Sequence, residues 1–233
     1  MSISDVFVVV PARGGSKRIP GKNLRELNGR GLLARTAEAL RNSGIETTCL
    51  LSTDDDAIAV AGEALGWHAP FRRPAVLSGD DTATVPVVLH AVDWFRDSNG
   101  RDPRLVMVLQ VTSPFRGDAC IARAVEMLES RPDADAVVTM KRIDRAPRHL
   151  FAVDANGYAA PLSARDGPRP LLTPNGALYL VRTEALRRTR SLFPPRTLPL
   201  AMNGIAAIDI DDEDDWQLAE AVAARGLTGS VIE

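Results

Sequence analysis

The sequence predicts an α/β protein with a mostly parallel sheet and helices on both faces, and two observations predict it. Residues 6–10 and several later segments are apolar along their whole length. Amphipathic stretches with a period near 3.6 residues separate these segments. Strands that are apolar throughout are typical of parallel sheets buried on both faces. At 233 residues, the chain fits one domain that spans residues 1–233.

The predicted elements alternate through the first part of the chain. Four segments have the composition of buried strands: residues 6–10, 47–52, 105–110 and 135–140. Four helical stretches place apolar residues on one face: Leu33, Ala37 and Leu40; Ile58, Ala61 and Leu65; Val85, Leu89 and Val92; and Ile121, Val125 and Leu128. This order of elements predicts repeated strand–helix units.

The alternation changes between residues 150 and 199. An Asn156-Gly157 turn lies between short β-like runs, and the stretch that follows is rich in proline and arginine. We interpret residues 150–199 as an insertion that contains β-structure. Strand patterns return at residues 176–181 and 204–210, and the acidic residues that follow predict the start of a last helix.

Charge and cysteine content exclude several classes of function. The formal net charge of −2 argues against bulk attraction to nucleic acid or to an anionic membrane surface. Cys49 and Cys120 lie in apolar segments without metal-site spacing, which indicates buried thiols in a reducing compartment. No apolar run reaches the roughly 18 residues that a membrane span needs. We therefore expect a cytoplasmic protein without nucleic-acid or membrane partners.

A glycine-containing basic loop follows the first predicted strand. The sequence PARGGSKRIPGKN carries four cations in its thirteen residues: Arg13, Lys17, Arg18 and Lys22. Its glycine spacing matches neither a Walker A loop nor a dinucleotide-binding fingerprint. Open α/β sheets bind ligands at the carboxyl ends of their strands, where glycines allow close backbone approach to phosphates. Two interpretations remain open here, a polyphosphate-binding loop and a solvated basic loop.

Asp209 and Asp211 form a second candidate site. They are separated by one residue at the end of a predicted strand, so both carboxylates would point to the same face and could hold one magnesium ion. The alternative is an acidic helix start, which accounts for residues 212–215. It does not account for Asp209, because this residue interrupts an apolar run.

Six segments in this order and spacing resemble one family. They are PARGGSKRIPGKNL, STDDDAIAVAGEALG, FRRPAVLSGDDTAT, LQVTSPFR, TPNGALYLV and IDIDDEDDW. Together they resemble the acylneuraminate cytidylyltransferases, or CMP-sialic acid synthetases, from about Val6 to Ala224. The resemblance implies a Rossmann-like nucleotidyltransferase fold, a requirement for CTP and Mg²⁺, and transfer of CMP to a nonulosonic or related sugar acid with release of pyrophosphate.

The resemblance also implies roles for individual residues. The residues matching the nucleotide-binding positions are Arg13, Gly14, Ser16, Lys17 and Lys22 in the triphosphate loop, with Asn23, Arg73 and Ala83 nearer the cytidine. Gln110 matches the glutamine that faces the sugar, and with Arg13, Lys17 and Lys22 it forms the predicted catalytic set. Asp209 and Asp211 match the metal carboxylates. The insertion resembles a dimerisation region that lends residues to the neighbouring subunit's sugar site, where Arg165, Tyr179 and Phe193 match, so a homodimer is implied.

Four positions depart from the family pattern near the acceptor or nucleotide pocket. Val111 follows the glutamine where the family usually has proline, Thr84 and Val85 replace serines, and Thr173 replaces an arginine before PNG. The acceptor therefore stays open among sialic, legionaminic, pseudaminic and octulosonic acids and a phosphonate. A non-catalytic nucleotide-binding domain of the same fold is the alternative from another functional class.

Overall fold

The computed structural model describes residues 6–143, 151–153, 159–161 and 171–227. Its strands, numbered in chain order, are β1 Val6–Pro11, β2 Glu26–Leu27, β3 Arg30–Gly31, β4 Thr47–Ser52, β5 Leu105–Leu109, β6 Ala136–Ile143, β7 Phe151–Val153, β8 Ala159–Pro161, β9 Leu171–Arg182 and β10 Thr197–Met202. Its α-helices are α1 Leu32–Asn42, α2 Asp56–Ala64, α3 Thr84–Asn99, α4 Asp118–Glu129, α5 Thr183–Thr189 and α6 Glu213–Ala224.

Six strands form the main sheet in the order β10-β6-β9-β5-β1-β4. Strand β1 pairs parallel with β4 and β5, and β10 pairs parallel with β6. Strand β9 runs antiparallel between β5 and β6. The predicted mostly parallel α/β sheet is confirmed. Its carboxyl edge brings together the loops after β1 and β5, which are neighbours in the sheet.

Helices cover both faces of the sheet, as predicted. In β1, Val6, Val8 and Val10 join an apolar cluster with residues of α1, α2, α4 and α6. Phe7 and Val9 point the other way into a cluster with α3 and α5. This alternation follows from the two-residue period of a strand, and it explains why β1 has to be apolar at every position. Across the described ranges, no helix combines the length and the apolar content needed to cross a bilayer.

The predicted strand at residues 204–210 is wrong. This segment begins with a 3₁₀ helix at Gly204–Ala207, and an irregular stretch carries the chain to α6. Gly204 has a φ of 55°, which is outside the strand region, and Ala206 and Ala207 bury their side chains from the helical turn. The two-residue period of a strand therefore does not set the orientation of Asp209 and Asp211.

The segment 150–199 is divided between two sheets. Strands β7 and β8 pair only with each other, in an antiparallel ladder. The later part of the segment contributes β9, α5 and the first half of β10 to the main body. The predicted boundaries of the insertion thus include a central strand of the main sheet. Cys49 and Cys120 are free and buried, in agreement with the sequence, and burial raises the pKa of Cys120 to about 11.

Candidate active site

A cleft of about 210 Å³ lies at the carboxyl ends of β1 and β5. Its lining consists of Pro11, Arg13, Ser16, Lys22, Asn23, Arg73, Thr84, Gln110, Val111 and Thr112. Six of the predicted site residues are therefore brought together: Arg13, Ser16, Lys22, Asn23, Arg73 and Gln110. This is the edge where open α/β sheets bind their ligands.

The backbone of the basic loop is held by short polar contacts. The side-chain amide of Asn23, which is buried, donates a hydrogen bond to the carbonyl oxygen of Arg13 at 2.8 Å. The amide of Gly14 donates to Asp54 Oδ1 at 3.0 Å. A Cβ atom at Gly14 would lie 2.7 Å from Asp55 Oδ2, so glycine is required for this close approach. These contacts fix the backbone of the basic loop at the edge of the sheet.

Asp80 pairs with two cations of this loop. Its carboxylate lies 2.9 Å from Arg13 Nη1 and also forms an ion pair with Lys17. The hydrogen bond from Lys17 is the main reason why the pKa of Asp80 lies below its ordinary value. Arg13 Nη1 also donates to the carbonyl oxygen of Gly79 at 2.9 Å. A carboxylate of the same protein therefore pairs with two of the cations to which the family resemblance gives a triphosphate-binding role.

Arg73 provides buried donors without partners. It is only 6% exposed, and its Nε and Nη2 atoms make no hydrogen bond within the described part of the chain. Asp54 Oδ1 lies 3.6 Å from Nη2, and burial lowers the pKa of the guanidinium. Buried donors without partners are costly. A polar group of a ligand in the cleft would satisfy them.

The acidic segment lines an adjoining cleft of about 350 Å³. Its lining includes both Asp209 and Asp211, together with Lys141 and Asn175. Asp209 Oδ1 is buried and has no hydrogen-bond partner among the described residues. Burial is the main cause that raises the pKa of Asp209, and a hydrogen bond with Thr112 opposes the shift. Asp209 is thus a carboxylate whose ionised form needs a positive partner.

The remaining acidic residues mainly start helix α6. Asp212 caps the helix by accepting from the amide of Asp215 at 3.0 Å, and Asp215 accepts in return from the amide of Asp212. This capping box stabilises the first turn. The helix-start explanation is therefore confirmed for Asp212 and Asp215, and it leaves Asp209 unexplained.

Lys22 joins the basic loop to the acidic segment. Its Nζ atom donates to the carbonyl oxygen of Ile210 at 2.7 Å. Burial lowers the pKa of Lys22, and the charges of Asp211 and Asp209 oppose this shift. The basic loop and the acidic segment are far apart in sequence, but they thus form one site at a single edge of the sheet.

Gly176 lies where the glutamine and the acidic segment meet. A Cβ atom built on it would be 3.0 Å from Asp209 Oδ2 and 3.2 Å from Gln110 Oε1. Its φ of +77° also lies in the left-handed region, which favours glycine. The PNG segment of β9 therefore brings its backbone against both Gln110 and Asp209.

The pair of aspartates fits a divalent cation. A group of three metal-ligating His, Cys, Asp or Glu side chains is absent from the described ranges, so protein ligands alone do not form a closed cage there. Mg²⁺ is commonly held by one or two carboxylates together with substrate phosphates and water. The buried Asp209 oxygen that lacks a partner matches this donor set, with Asp211 as the second carboxylate.

The other predicted residues have different placements. Ala83 is exposed and precedes α3, next to Thr84 of the cleft. The rings of Tyr179 and Phe193 pack edge to face at 5.5 Å, and Phe193 is 46% exposed. Arg165 lies outside the described residues. Three further residues at the site were not predicted from the sequence: Asp80, Thr112 and Arg116. Each lies inside a segment that carries the family resemblance.

Similar proteins identify the family of this chain. Residues 7–182 match the family model described as cytidylyltransferase. The CMP-N,N'-diacetyllegionaminic acid synthase of Legionella pneumophila is 32% identical over 228 residues, which cover 92% of this chain and 94% of that protein. The N-acylneuraminate cytidylyltransferase of Streptococcus agalactiae is 31% identical over 218 residues, and the match covers 89% of this chain but 51% of that protein. This chain thus spans about half the length of that relative.

A solved structure supports the fold. The CMP:2-keto-3-deoxy-manno-octonic acid synthetase, determined with CTP, superposes with a TM-score of 0.71 at 18% identity, covering 95% of this chain and 99% of the other. At this identity the likeness establishes the nucleotidyltransferase fold alone. The match of the family model over most of the chain, together with the Legionella relative that is aligned over nearly its full length, shows that the chain belongs to the cytidylyltransferase family.

Proposed function

We propose that this protein transfers CMP from CTP to a nonulosonic or related sugar acid and releases pyrophosphate. The observation that carries the proposal is the hydrogen bond between Lys22 and the carbonyl oxygen of Ile210, at 2.7 Å. It connects a basic loop suited to a triphosphate with two carboxylates suited to a divalent cation. Nucleotidyl transfer needs both features around one phosphorus atom.

The basic loop suits the leaving group. Arg13 and Lys22 line the nucleotide cleft, and Lys17 reaches the same carboxylate as Arg13. Positive charge at this position binds the β- and γ-phosphates and stabilises the pyrophosphate as negative charge develops on it. Buried Arg73, whose Nε and Nη2 atoms have no hydrogen-bond acceptor among the described residues, suits a polar group of the nucleotide.

The reaction is an in-line displacement at the α-phosphorus. The hydroxyl oxygen of the acceptor forms the new bond to phosphorus as the bond to the bridging oxygen of pyrophosphate breaks, and the hydroxyl proton is released. The side chains mainly align the two substrates and neutralise charge. A divalent cation held by Asp209 and Asp211, which we assign as Mg²⁺, would neutralise the α-phosphate and acidify the attacking hydroxyl.

Gln110 and Asp209 suggest where the acceptor lies. Gln110 Oε1 and Asp209 Oδ2 both approach Gly176, so the acceptor would enter between the two clefts. The Legionella relative, matched over nearly its whole length, acts by its name in making a CMP-legionaminic acid. This supports a nonulosonic acid as acceptor ahead of octulosonic or phosphonate acceptors.

The direct test is a pyrophosphate-release assay with each of CTP, UTP, ATP and GTP against a panel of sugar acids. The panel contains sialic, legionaminic, pseudaminic and octulosonic acids and a phosphonate, with Mg²⁺ present. We expect release with CTP and at least one nonulosonic acid. Release with a different nucleotide, or with the phosphonate alone, would contradict the proposal. No release with any pair would favour a nucleotide-binding domain without catalysis.

We further propose that the protein acts as a homodimer in the cytoplasm. The free, buried thiols of Cys49 and Cys120 fit a reducing compartment. In the dimer, Arg165 would serve the neighbouring subunit's acceptor site. Mixing inactive Arg165→Ala and Asp209→Ala chains should then restore part of the activity, because one site per mixed dimer keeps both residues. A monomer at micromolar concentration in sedimentation velocity would contradict this assembly.

A further inference from the structure

Arg116 is a buried arginine without a carboxylate partner. It is only 3% exposed, and no ion pair to it is found across the described ranges. Burial lowers its pKa to about 10, so the guanidinium stays protonated at neutral pH. Burying a charge without a counter-ion is costly. The hydrogen bonds of the Arg116 side chain therefore have to offset part of this cost.

Both hydrogen bonds of Arg116 go to the backbone beside the proposed acceptor site. Its Nη1 atom donates to the carbonyl oxygen of Gln110 at 3.0 Å and to that of Ala177 at 2.6 Å. Gln110 follows the last residue of β5, and Ala177 directly follows Gly176 in β9. Nη1 of Arg116 thus connects the end of β5, which carries Gln110, to the part of β9 that contains Gly176.

A large bulge in β9 lies beside this donor. Val138 of β6 pairs with Tyr179, whereas Met140 pairs with Pro174, so residues 175–178 lie opposite a single residue, Thr139. On the other side of β9, the ladder with β5 ends at the pair of Leu109 and Leu178. The carbonyl of Ala177 lies one residue beyond that pair, and burial would make a missing partner expensive.

Local side chains satisfy the amides of the bulge but not this carbonyl. The amide of Leu178 donates to Thr139 Oγ1 at 2.8 Å, and the amide of Ala177 donates to Asn175 Oδ1 at 3.3 Å. Arg116, in the loop before α4, supplies a hydrogen bond to this carbonyl. Together with the ladder pair of Leu109 and Leu178, it connects the bulge to the end of β5.

We propose that Arg116 is a positioning residue that sets the distance between Gln110 and the Gly176 bulge, and with it the geometry of the acceptor side of the site. The clearance there is small, because an added Cβ at Gly176 would lie 3.2 Å from Gln110 Oε1. The inference rests on the proposed function, since it concerns the acceptor of that reaction. The side-chain hydrogen bonds of Arg116 reach Gln110 and Ala177 rather than the basic loop, so we expect the acceptor to depend on them more than CTP does.

The test is Arg116→Met, which keeps the length of the side chain and removes the buried charge. Removing the guanidinium leaves the carbonyl oxygens of Gln110 and Ala177 without this donor, so we expect the variant to fold but to unfold at a lower temperature than the wild type. We expect its CTP affinity to stay close to that of the wild type. We also expect kcat/KM for the acceptor to fall about a hundredfold, the scale of a misplacement near 1 Å. Unchanged kcat/KM for the acceptor in a folded variant overturns the proposal, and so does a parallel loss of CTP affinity.

Arg182→Met is the matched control. Arg182 also donates to backbone carbonyls, to Ala134 at 2.8 Å and Leu128 at 3.0 Å, but it lies at the opposite end of β9. This variant should lose thermal stability while kcat/KM for the acceptor stays within about twofold of the wild type. An equal acceptor defect in both variants overturns the proposal, because it would show a general effect on the sheet.

Arg116→Lys decides the question if Arg116→Met does not fold. Lysine keeps the charge but has a shorter reach, and it lacks the rigid guanidinium plane that fixes the directions of the two N–H groups on Nη1, so it cannot hold both carbonyls in the same geometry. We expect kcat/KM for the acceptor to fall about tenfold with CTP affinity intact, and wild-type kcat/KM overturns the proposal. Wild-type protein that releases no pyrophosphate with any acceptor would instead contradict the proposed function, so the two failures are distinguishable.

Discussion

Lys22 and Ile210, which are 188 positions apart in the chain, are joined by a hydrogen bond of 2.7 Å from the lysine ammonium to the backbone carbonyl. Ile210 lies between Asp209 and Asp211, so this bond brings a cation of the nucleotide loop to the two proposed metal ligands. The charges of Asp211 and Asp209 oppose the burial that lowers the pKa of Lys22. Lys22 and Asp209 therefore each favour the charged form of the other.

The burial of Lys22 predicts that it matters more than its neighbour Arg18. We expect Lys22→Met to lower kcat/KM for CTP by about a hundredfold or more, the scale of removing one preorganised electrostatic stabiliser. Arg18 lies 3.7 Å from Asp211 but has a side chain that is 69% exposed. Arg18→Met should change the same constant less than about fivefold, because exposed pairs contribute little. Initial rates of pyrophosphate release measure both variants, and similar losses would argue against a special role for Lys22.

We expect the carboxylate of Asp80 to compete with the triphosphate of CTP for the cations of the basic loop. Because Asp80 pairs with Arg13 and Lys17, CTP has to displace it to reach these cations. Asp80→Asn should therefore raise CTP affinity about two- to fivefold, the scale of an exposed ion pair. Asp81→Asn, which removes the same charge one residue away, is the control. Titration calorimetry with CTP measures both, and weaker binding by Asp80→Asn would show that this carboxylate assists the nucleotide.

The strands that were predicted correctly share one physical signal. Strands β1 and β5 lie inside the sheet, and their burial requires continuous apolar runs, whereas the edge strand β4 is buried over its last four residues and carries its apolar signal there. Strand β10 gave no such signal, because its six residues include Pro199. An edge strand tolerates proline, since one side of it makes no ladder bonds. The apolar run at 204–210 looked more like a strand, yet it forms a helical turn.

The site could be predicted in its parts but not in its connections. The basic loop, Gln110 and the two aspartates each lie in a short, recognisable segment. The bonds that join these segments cross long stretches of chain, as in Arg116 to Ala177, which are 61 positions apart. Composition and spacing carry no information about such contacts. Only the folded sheet, with β9 inserted between β5 and β6, reveals them.

Asp135 lies away from the proposed active site, and we expect its ion pair with Arg196 to make a pH-dependent contribution to stability. This residue is 5% exposed, and both of its oxygens accept from Arg196, at 2.8 and 3.1 Å. The hydrogen bonds from Arg196 lower the pKa of Asp135. The folded state therefore binds fewer protons here than the unfolded chain. The stabilisation is present above the ordinary pKa of about 4 and is lost as the pH falls through the lowered value.

Asp135→Asn should lower the free energy of unfolding by about 1–2 kcal/mol near neutral pH, because it removes charged hydrogen bonds at a buried position. The difference from the wild type should shrink as the pH falls below about 4. Asp133, paired with Arg131 at 3.1 Å on the surface, gives the control, and Asp133→Asn should be nearly silent. Urea unfolding across this pH range measures all three proteins. A difference that is independent of pH would contradict the electrostatic explanation.

The two proposed metal ligands give the last prediction, because they differ from the other acidic residues of their segment. Asp209 has a buried oxygen without a partner among the described residues, whereas Asp212 and Asp215 are engaged in the cap of α6. Asp209→Asn and Asp211→Asn keep the size and polarity of each side chain but remove one charge. Each should lower kcat by about a hundredfold or more at saturating CTP. The concentration of Mg²⁺ needed for half-maximal rate should rise, because one carboxylate binds the ion more weakly than two.

Asp214→Asn is the matched control, since Asp214 is exposed in the first turn of α6 and lines neither cleft. It should retain kcat and the Mg²⁺ requirement of the wild type within about twofold, because an exposed charge at a helix start contributes little. Retention of full kcat by Asp209→Asn and Asp211→Asn at limiting Mg²⁺ would contradict the metal assignment. In that case the carboxylate of Asp209 would instead have to be satisfied by Lys22 and Thr112, the two groups that already favour its ionised form.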